Sequence, residues 1–274
     1  MPTIRANDLD IAYEVRGDGP PLVIMHGAAT TAGYTFGRQL PAIAGTFQVF
    51  MPDARGHGNT RWDVARGFRA EWLVDDLEAF VDVVGLATFH LVGYSMGGMT
   101  ALGFAARRPE RLRTLVVAGI TTAREPRASV VRRLMDPARI ERDEPGWAAD
   151  LRRLDETHGA GHWRTLVTAV ADDVAAQPLL TPVEIRGITS PTLVMVGDRD
   201  PLVPVDQAAA LARSVRDGRL FVAPRAGHDV TNEQPELCTT AMLGFYRSTE
   251  HAARARAGAA GIDGTTQTEP EEPR

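Results

Sequence analysis

The segment Phe89-His-Leu-Val-Gly-Tyr-Ser-Met-Gly-Gly-Met99 decides how the rest of the chain is read. A short apolar run over residues 89–92 stops at Gly93-Tyr94-Ser95-Met96-Gly97, and an alanine-rich helical pattern begins at Met99. The order is strand, sharp turn, helix, with one serine at the apex. Such a turn crowds its central residue. Glycines on both sides of Ser95 remove the side chains that would collide there, and Gly98 lets the helix pack close beneath the strand. The Ser95 hydroxyl then stands at the carboxyl edge of a sheet, at the helix end that favours negative charge. Those are the surroundings of an activated nucleophile. The alternative is a glycine-rich turn with an idle serine, and partners elsewhere in the chain decide between the two.

Outward from this turn the same rhythm repeats. Before it, residues 22–25 (Leu-Val-Ile-Met) read as a buried strand running into His26-Gly27-Ala28-Ala29. A glycine straight after a buried strand lets backbone approach a ligand, which makes the Ala28 N–H a candidate oxyanion donor. His26 is either a structural histidine bonded within its loop or a catalytic base, and the structural reading is favoured. Residues 47–51 form the next strand, and the loop after it gathers Asp53, Arg55 and His57. No nucleophile sits there, so Asp53 and Arg55 are expected to satisfy backbone groups and each other. From Glu71, the positions Val74, Leu77, Phe80, Val81 and Val84 follow a 3.6-residue period, predicting an amphipathic helix that ends at Gly85. After the serine turn, Arg107-Arg108-Pro109 stops the helix and residues 114–119 form another buried strand.

The ends of the chain fill in the sheet. Residues 3–7 and 9–16 alternate as a hairpin, residues 191–197 are a continuous apolar strand, and residues 219–222 are the last strand. A helix over residues 206–215, with Asp206 as its N-cap, and a closing helix from Pro235 to about Tyr246 complete the pattern. The sequence therefore predicts an α/β protein: a doubly wound, mostly parallel eight-stranded sheet with helices on both faces. Between about Thr121 and Gly187 no strand pattern appears, only helical segments divided by prolines and glycines. An insertion after a strand's carboxyl end lies over the site, so residues 122–188 are assigned to an all-helical cap on a core of residues 1–121 and 189–250. Its 10 arginines and 11 acids nearly cancel, so the cap offers no bulk steering of a charged ligand. Trp147 and Trp163 are cap core or pocket wall, with core packing favoured. His158 and His162 flank a Gly-Ala-Gly turn but lack a third metal ligand at suitable spacing, so a solvated loop is expected. Residues 251–274 lack periodicity and are expected to be a disordered tail.

Composition narrows the function. A net charge of −5 without a basic stripe argues against nucleic acid as a partner. No apolar run is long enough to span a bilayer, and the first residues lack an export signal. The single cysteine, Cys238, sits in an apolar helical pattern; with no internal disulfide available, a cytoplasmic location is expected.

Serine needs a base within hydrogen-bond reach and a third group to hold that base. The sequence offers Asp200 after one late strand and His228 after the next, both at carboxyl ends where parallel sheets place their ligands. With His26-Gly27, Asp53-Ala-Arg-Gly-His-Gly58, Gly93-Tyr-Ser-Met-Gly97, Gly197-Asp-Arg-Asp200 and Gly227-His228 in this order, the chain resembles the α/β-hydrolase superfamily over residues 1–250. The resemblance implies Ser95 as nucleophile, His228 as general base and acid, and Asp200 as the group orienting the imidazole. It prefers Asp200 to Asp198, because the acid stands third after the strand-end glycine with a proline four further on. It also implies an oxyanion hole made by the N–H groups of Ala28 and Met96. A serine rather than an aspartate at the apex argues against dehalogenase and epoxide-hydrolase branches. The missing Gly-Pro-Gly continuation after His26-Gly27 argues against the meta-cleavage C–C hydrolases. Small esterases, enol-lactonases and cofactor-free perhydrolases remain. The expectation is a cofactor-free, metal-free serine hydrolase of a small-molecule ester or lactone, with Tyr34, Phe36, Tyr94, Met96, Trp147 and Trp163 as candidate pocket residues. A C–C hydrolase or lyase on the same triad, a small-molecule receptor, and a partner-binding scaffold stay open as alternatives.

Overall fold

The computed structural model describes residues 1–262, with side chains through residue 252. Eight strands form one sheet: β1 (Thr3–Ala6), β2 (Leu9–Arg16), β3 (Pro21–Met25), β4 (Gln48–Pro52), β5 (Phe89–Tyr94), β6 (Leu112–Ala118), β7 (Thr192–Gly197) and β8 (Gly218–Ala223). Their spatial order is β1-β2-β4-β3-β5-β6-β7-β8. β1–β2 and β2–β4 pair antiparallel, and every pairing from β4 through β8 is parallel. This is the mostly parallel eight-stranded sheet that the pattern of buried runs predicted.

The apolar runs are continuous because both faces of the sheet are covered. Val23, Leu91, Leu115, Val117, Val194 and Val196 point to one face, against Val74, Leu77 and Phe80 of the helix Ala70–Val83 and Leu102 and Phe104 of the helix Met96–Arg107. Leu22, Ile24, Val92, Val116, Leu193 and Met195 point to the other, against Leu40, Ile43, Phe47, Met242 and Phe245. Successive residues of one strand thus serve opposite cores, the period of two that a pleated strand imposes. Strands β5 and β7 are buried along their whole length, which anchors the loops at their carboxyl ends.

Between β6 and β7 lie five helices, Arg127–Leu134, Pro137–Asp143, Pro145–His158, His162–Ala176 and Pro182–Arg186, with no strand among them. They hold their own small core of Ile140, Ala148, Leu151, Trp163 and Val167. A second cluster, with Leu166 and Val170 against Ala54, Val64, Phe68 and Leu73, seats them on the sheet-bearing part.

Three local expectations change. Asp206 is not an N-cap: the helix runs Val205–Ser214 behind Pro204, whose extended backbone (φ −55°, ψ 141°) makes the entry, and Asp206 stands in the first turn. There its charge still complements the positive helix end. The closing helix runs Pro235–Ile262, well past Tyr246 and through the first part of the expected tail. Alanine and arginine dominate that extension and are strong helix formers, so propensity carries the helix where no apolar stripe is visible. The remaining tail, residues 263–274, lies outside the described residues. Finally, His158 and His162 do not stand in a solvated loop: His162 is buried and His158 half-buried. Their rings stack at 4.1 Å, and their Nε2 atoms meet the carbonyls of Gly58 and Gly56 at 3.2 and 2.8 Å. They dock the inserted helices onto the loop after β4.

Candidate active site

Ser95 follows β5 directly, at φ +51° and ψ −114°, a conformation that L-residues rarely adopt. Its N–H donates to the Ala118 carbonyl at 2.9 Å, and the Gly97 N–H donates to the His26 carbonyl at 3.0 Å. The turn is thus tied to both neighbouring strand ends. A Cβ on Gly93 would lie 2.2 Å from the Gly97 oxygen, and one on Gly97 would lie 2.4 Å from the carbonyl oxygens of Met25 and His26. No side chain fits either place. A Cβ on Gly98 would meet Ile120 at 2.6 Å, so this glycine sets how closely helix and sheet approach.

The other two members arrive on loops after β7 and β8. His228 Nε2 lies 2.9 Å from Ser95 Oγ, and His228 Nδ1 lies 2.9 Å from Asp200 Oδ2. Residues 133 positions apart meet here because parallel strands deliver their carboxyl ends to one edge. The Asp200 side chain is fully buried, and its Oδ1 accepts from the Leu202 and Val203 N–H groups at 2.8 and 3.1 Å. These bonds hold the carboxylate so that Oδ2 faces the imidazole. An ionised carboxylate accepts only, which places the imidazole proton on Nδ1 and leaves Nε2 free to accept the serine proton. Asp198 does different work. Its Oδ1 accepts from the Ala226 N–H at 3.1 Å, and hydrogen bonds from Arg225 and Ala226 hold it below the usual carboxylate range. It braces the loop that carries His228.

The neighbourhood of the imidazole is close-packed. The Tyr94 ring sits 5.3 Å from it, and a Cβ on Gly119, at φ +62°, would lie 3.0 Å from His228 Cε1. Burial pushes the Tyr94 hydroxyl well above its ordinary value, so it stays neutral. The Ala28 N–H donates to no acceptor within the described residues. Met96 is the first residue of its helix, where an N–H has no intrahelical acceptor. Both residues line the same cavity as Ser95 and His228.

Beneath the site, His26 is structural. Its Nε2 accepts from the Ala54 N–H at 3.0 Å, and its Nδ1 donates to the Gly27 carbonyl at 2.7 Å. Burial lowers its pKa, Asp53 opposing, so the ring stays neutral with both nitrogens occupied. Asp53 accepts from the Asn59 N–H at 2.9 Å, but Arg55 does not pair with it. Arg55 forms two bonds of 2.6 Å with Asp76 on the helix Ala70–Val83, under the rings of Trp62 and Trp72. The local motif held no sign of that partner, 21 residues away.

The cavity above Ser95 measures about 960 Å³. Of the residues predicted to line it, Tyr34, Tyr94, Met96 and Trp147 do. Phe36 and Trp163 do not. Phe36, 1% exposed, packs with Leu40 and Ile43 in the core under the sheet, because the preceding turn aims it inward. Trp163, 0% exposed, is the largest side chain of the inserted helices' core. Sequence reading missed Met99, Gly119, Arg127, Asp173 and Leu202 on the cavity wall. Met99 could have been found as the next helix position facing the serine; the others come from segments whose packing no local pattern reveals. Among the described residues, no group of three or more His, Cys, Asp or Glu is arranged to hold a metal ion. No described helix is long and apolar enough to cross a membrane.

This fold with this site defines a known class. The sequence pattern of the alpha/beta hydrolase family matches residues 22–241, and the chain belongs to that family. It is 26% identical over 270 residues to the pyrrolizixenacetamide deacetylase of Xenorhabdus hominickii, covering 90% of this chain and 98% of that protein. A thermophilic esterase from Thermogutta terrifontis has a similar structure, with TM-score 0.72, 26% identity, and 91% of this chain and 97% of that chain covered. The enol-lactonase from Burkholderia xenovorans LB400 shares the fold at TM-score 0.72 and 23% identity, over 90% of this chain and 100% of that chain. The protein is an alpha/beta-fold hydrolase.

Proposed function

We propose that the chain is a cytoplasmic serine hydrolase that cleaves a carboxylic ester or lactone of a small molecule through an acyl-enzyme. The supporting observation is the relay of two 2.9 Å contacts from Ser95 Oγ through the His228 ring to Asp200. In the proposed cycle, His228 Nε2 takes the Ser95 proton as Oγ attacks the carbonyl carbon. Asp200 keeps the proton of Nδ1 in place and stabilises the imidazolium. The N–H groups of Ala28 and Met96 hold the developing oxyanion, typically ~3 kcal/mol of transition-state stabilisation per donor. The imidazolium then protonates the leaving oxygen, and water enters as nucleophile with His228 again as base. Residues 122–188 act in this reading as a cap that closes the cavity over the core of residues 1–121 and 189–250. The names of the esterase and deacetylase relatives support this reading, while another relative, 26% identical, is named a 2-hydroxy-6-oxononadienedioate/2-hydroxy-6-oxononatrienedioate hydrolase.

The test is a fluorophosphonate labelling assay combined with turnover of a short-chain ester series. Ser95→Ala should abolish labelling and lower kcat by ~10³ or more, as removal of a triad member does elsewhere. Labelling at another residue, or turnover that survives the substitution, refutes the assignment.

A further inference from the structure

The cavity wall carries a cation that no carboxylate among the described residues meets in an ion pair. Arg127 opens the helix Arg127–Leu134, lines the cavity and is only 5% exposed. Its Nε and Nη2 atoms are buried without a hydrogen-bond partner, and among the described residues no carboxylate comes within ion-pairing distance of it. The other cavity arginines differ: Arg153 is bonded to Asp150, and Arg139 pairs with Asp143 at 3.6 Å. Arg124 spends its donors on the carbonyls of Ala175 and Gln177. Burial, reinforced by repulsion from Arg124 and opposed by attraction from the Asp173 carboxylate, pushes Arg127 down to about 10, which leaves it cationic at neutral pH.

A guanidinium taken out of water without a partner is costly, so its retention calls for something that arrives to pair with it. Nε and Nη2 form one edge of the guanidinium plane. That edge is closed in this structure, and a small turn of the side chain toward the cavity it lines brings its parallel N–H bonds to the two oxygens of a carboxylate. The acids on the same wall are committed or solvated. Asp173 accepts from the Ala70 N–H at 3.1 Å, Glu233 accepts from the Gly227 N–H at 2.9 Å, and Asp229 accepts from Asn232 at 3.1 Å, while Glu144 is exposed. Val131, Leu134, Val174 and Leu202 line the cavity as well, so a charge pair formed there would be poorly screened.

We propose that Arg127 receives a carboxylate borne by the substrate, so that the esters or lactones taken by this cavity carry a free carboxylate besides the carbonyl that Ser95 attacks. The proposal rests on the serine-hydrolase reading, and its test separates the two. p-Nitrophenyl half-esters of the dicarboxylic acids from succinic to suberic are compared with the same compounds whose free acid is capped as a methyl ester. At the best chain length the wild-type protein should favour the free acid by at least about tenfold in kcat/KM, mainly through KM. Arg127→Gln should cut that preference about tenfold, and Arg127→Lys, which keeps the charge but loses the fork, should fall between. Equal rates on acid and capped ester in the wild-type protein, or a preference that survives Arg127→Gln, overturns the proposal. If the Gln variant fails to fold, by circular dichroism, the wild-type ratio and the Lys variant decide. If no ester turns over, the hydrolase reading fails, and calorimetric titration of the wild-type protein still tests Arg127. Adipate should then bind at least about tenfold more tightly than adipamide, and equal or absent binding overturns the assignment.

Discussion

Acidification to about pH 5 should destabilise the protein through histidines that folding keeps neutral. His57 is fully buried, and burial, with His26 nearby, pushes it from 6.5 to about 3. His90, wedged between Phe47, Tyr246 and Thr114, is pushed by burial and by Arg113 to about 4. A histidine with a lowered folded pKa takes its proton in the unfolded chain first. The stability it contributes is therefore complete above 6.5 and is lost as the pH falls from 6.5 toward the folded value. Between about pH 7 and about pH 5, linkage gives a loss of ~2 kcal/mol for each of the two sites. Asp173 opposes them. Burial raises it to about 6, so it prefers the proton in the folded state, but it is partly exposed and offsets no more than ~1 kcal/mol. The net loss from these three groups is ~3 kcal/mol, or roughly 6–12 °C in Tm for a protein of this size, and His158, also lowered to about 4, adds to it. Urea unfolding at the two pH values measures it directly, and His90→Gln should remove ~2 kcal/mol of the difference. A protein as stable at pH 5 as at pH 7, or a pH dependence untouched by His90→Gln, refutes the account of these histidines as buried neutral groups.

Further outcomes follow from the site and from the inserted helices. Asp200→Asn keeps the Oδ1 bonds to Leu202 and Val203 but turns an amide donor toward His228. The imidazole then presents Nε2–H to Ser95, and kcat should fall by ~10³–10⁴, whereas Asp198→Asn should change kcat less than about tenfold in the same ester assay. Gly119→Ala places a methyl group 3.0 Å from His228 Cε1 on a left-handed backbone. A stability loss of ~1–2 kcal/mol should accompany a kcat lowered by about tenfold or more, read by thermal melting and steady-state kinetics. Trp163→Ala should cost ~3–5 kcal/mol of stability, while Trp147→Ala, on the cavity wall, should act mainly on KM.

Much of the candidate site is legible in the chain because its parts are local. Gly93, Ser95 and Gly97 lie at alternate positions of one turn, and their crowding is a property of the turn itself. Asp200 and His228 are legible as polar residues in the loops after the last two strands, with the resemblance choosing Asp200 over Asp198, and a parallel sheet brings such strand ends together whatever the loops between them do. The alternation of buried runs and amphipathic stretches likewise specifies the eight strands and the two covered faces, since strand and helix periods are written residue by residue.

What local pattern could not specify was every pairing that depends on how one surface meets another. Nothing near Arg55 points to Asp76, and nothing near His158 and His162 points to the carbonyls of Gly58 and Gly56. Phe36 and Trp147 look equally suited to a pocket, yet one is core and the other wall. The same holds for Arg127, one of 10 arginines in the inserted stretch and indistinguishable from the rest until the helices pack and leave its guanidinium buried and unpaired. Chemistry carried by one turn or one strand end is encoded where it stands. The shape and charge of the space above it arise only when distant side chains exclude water from one another, and that is decided by the tertiary structure.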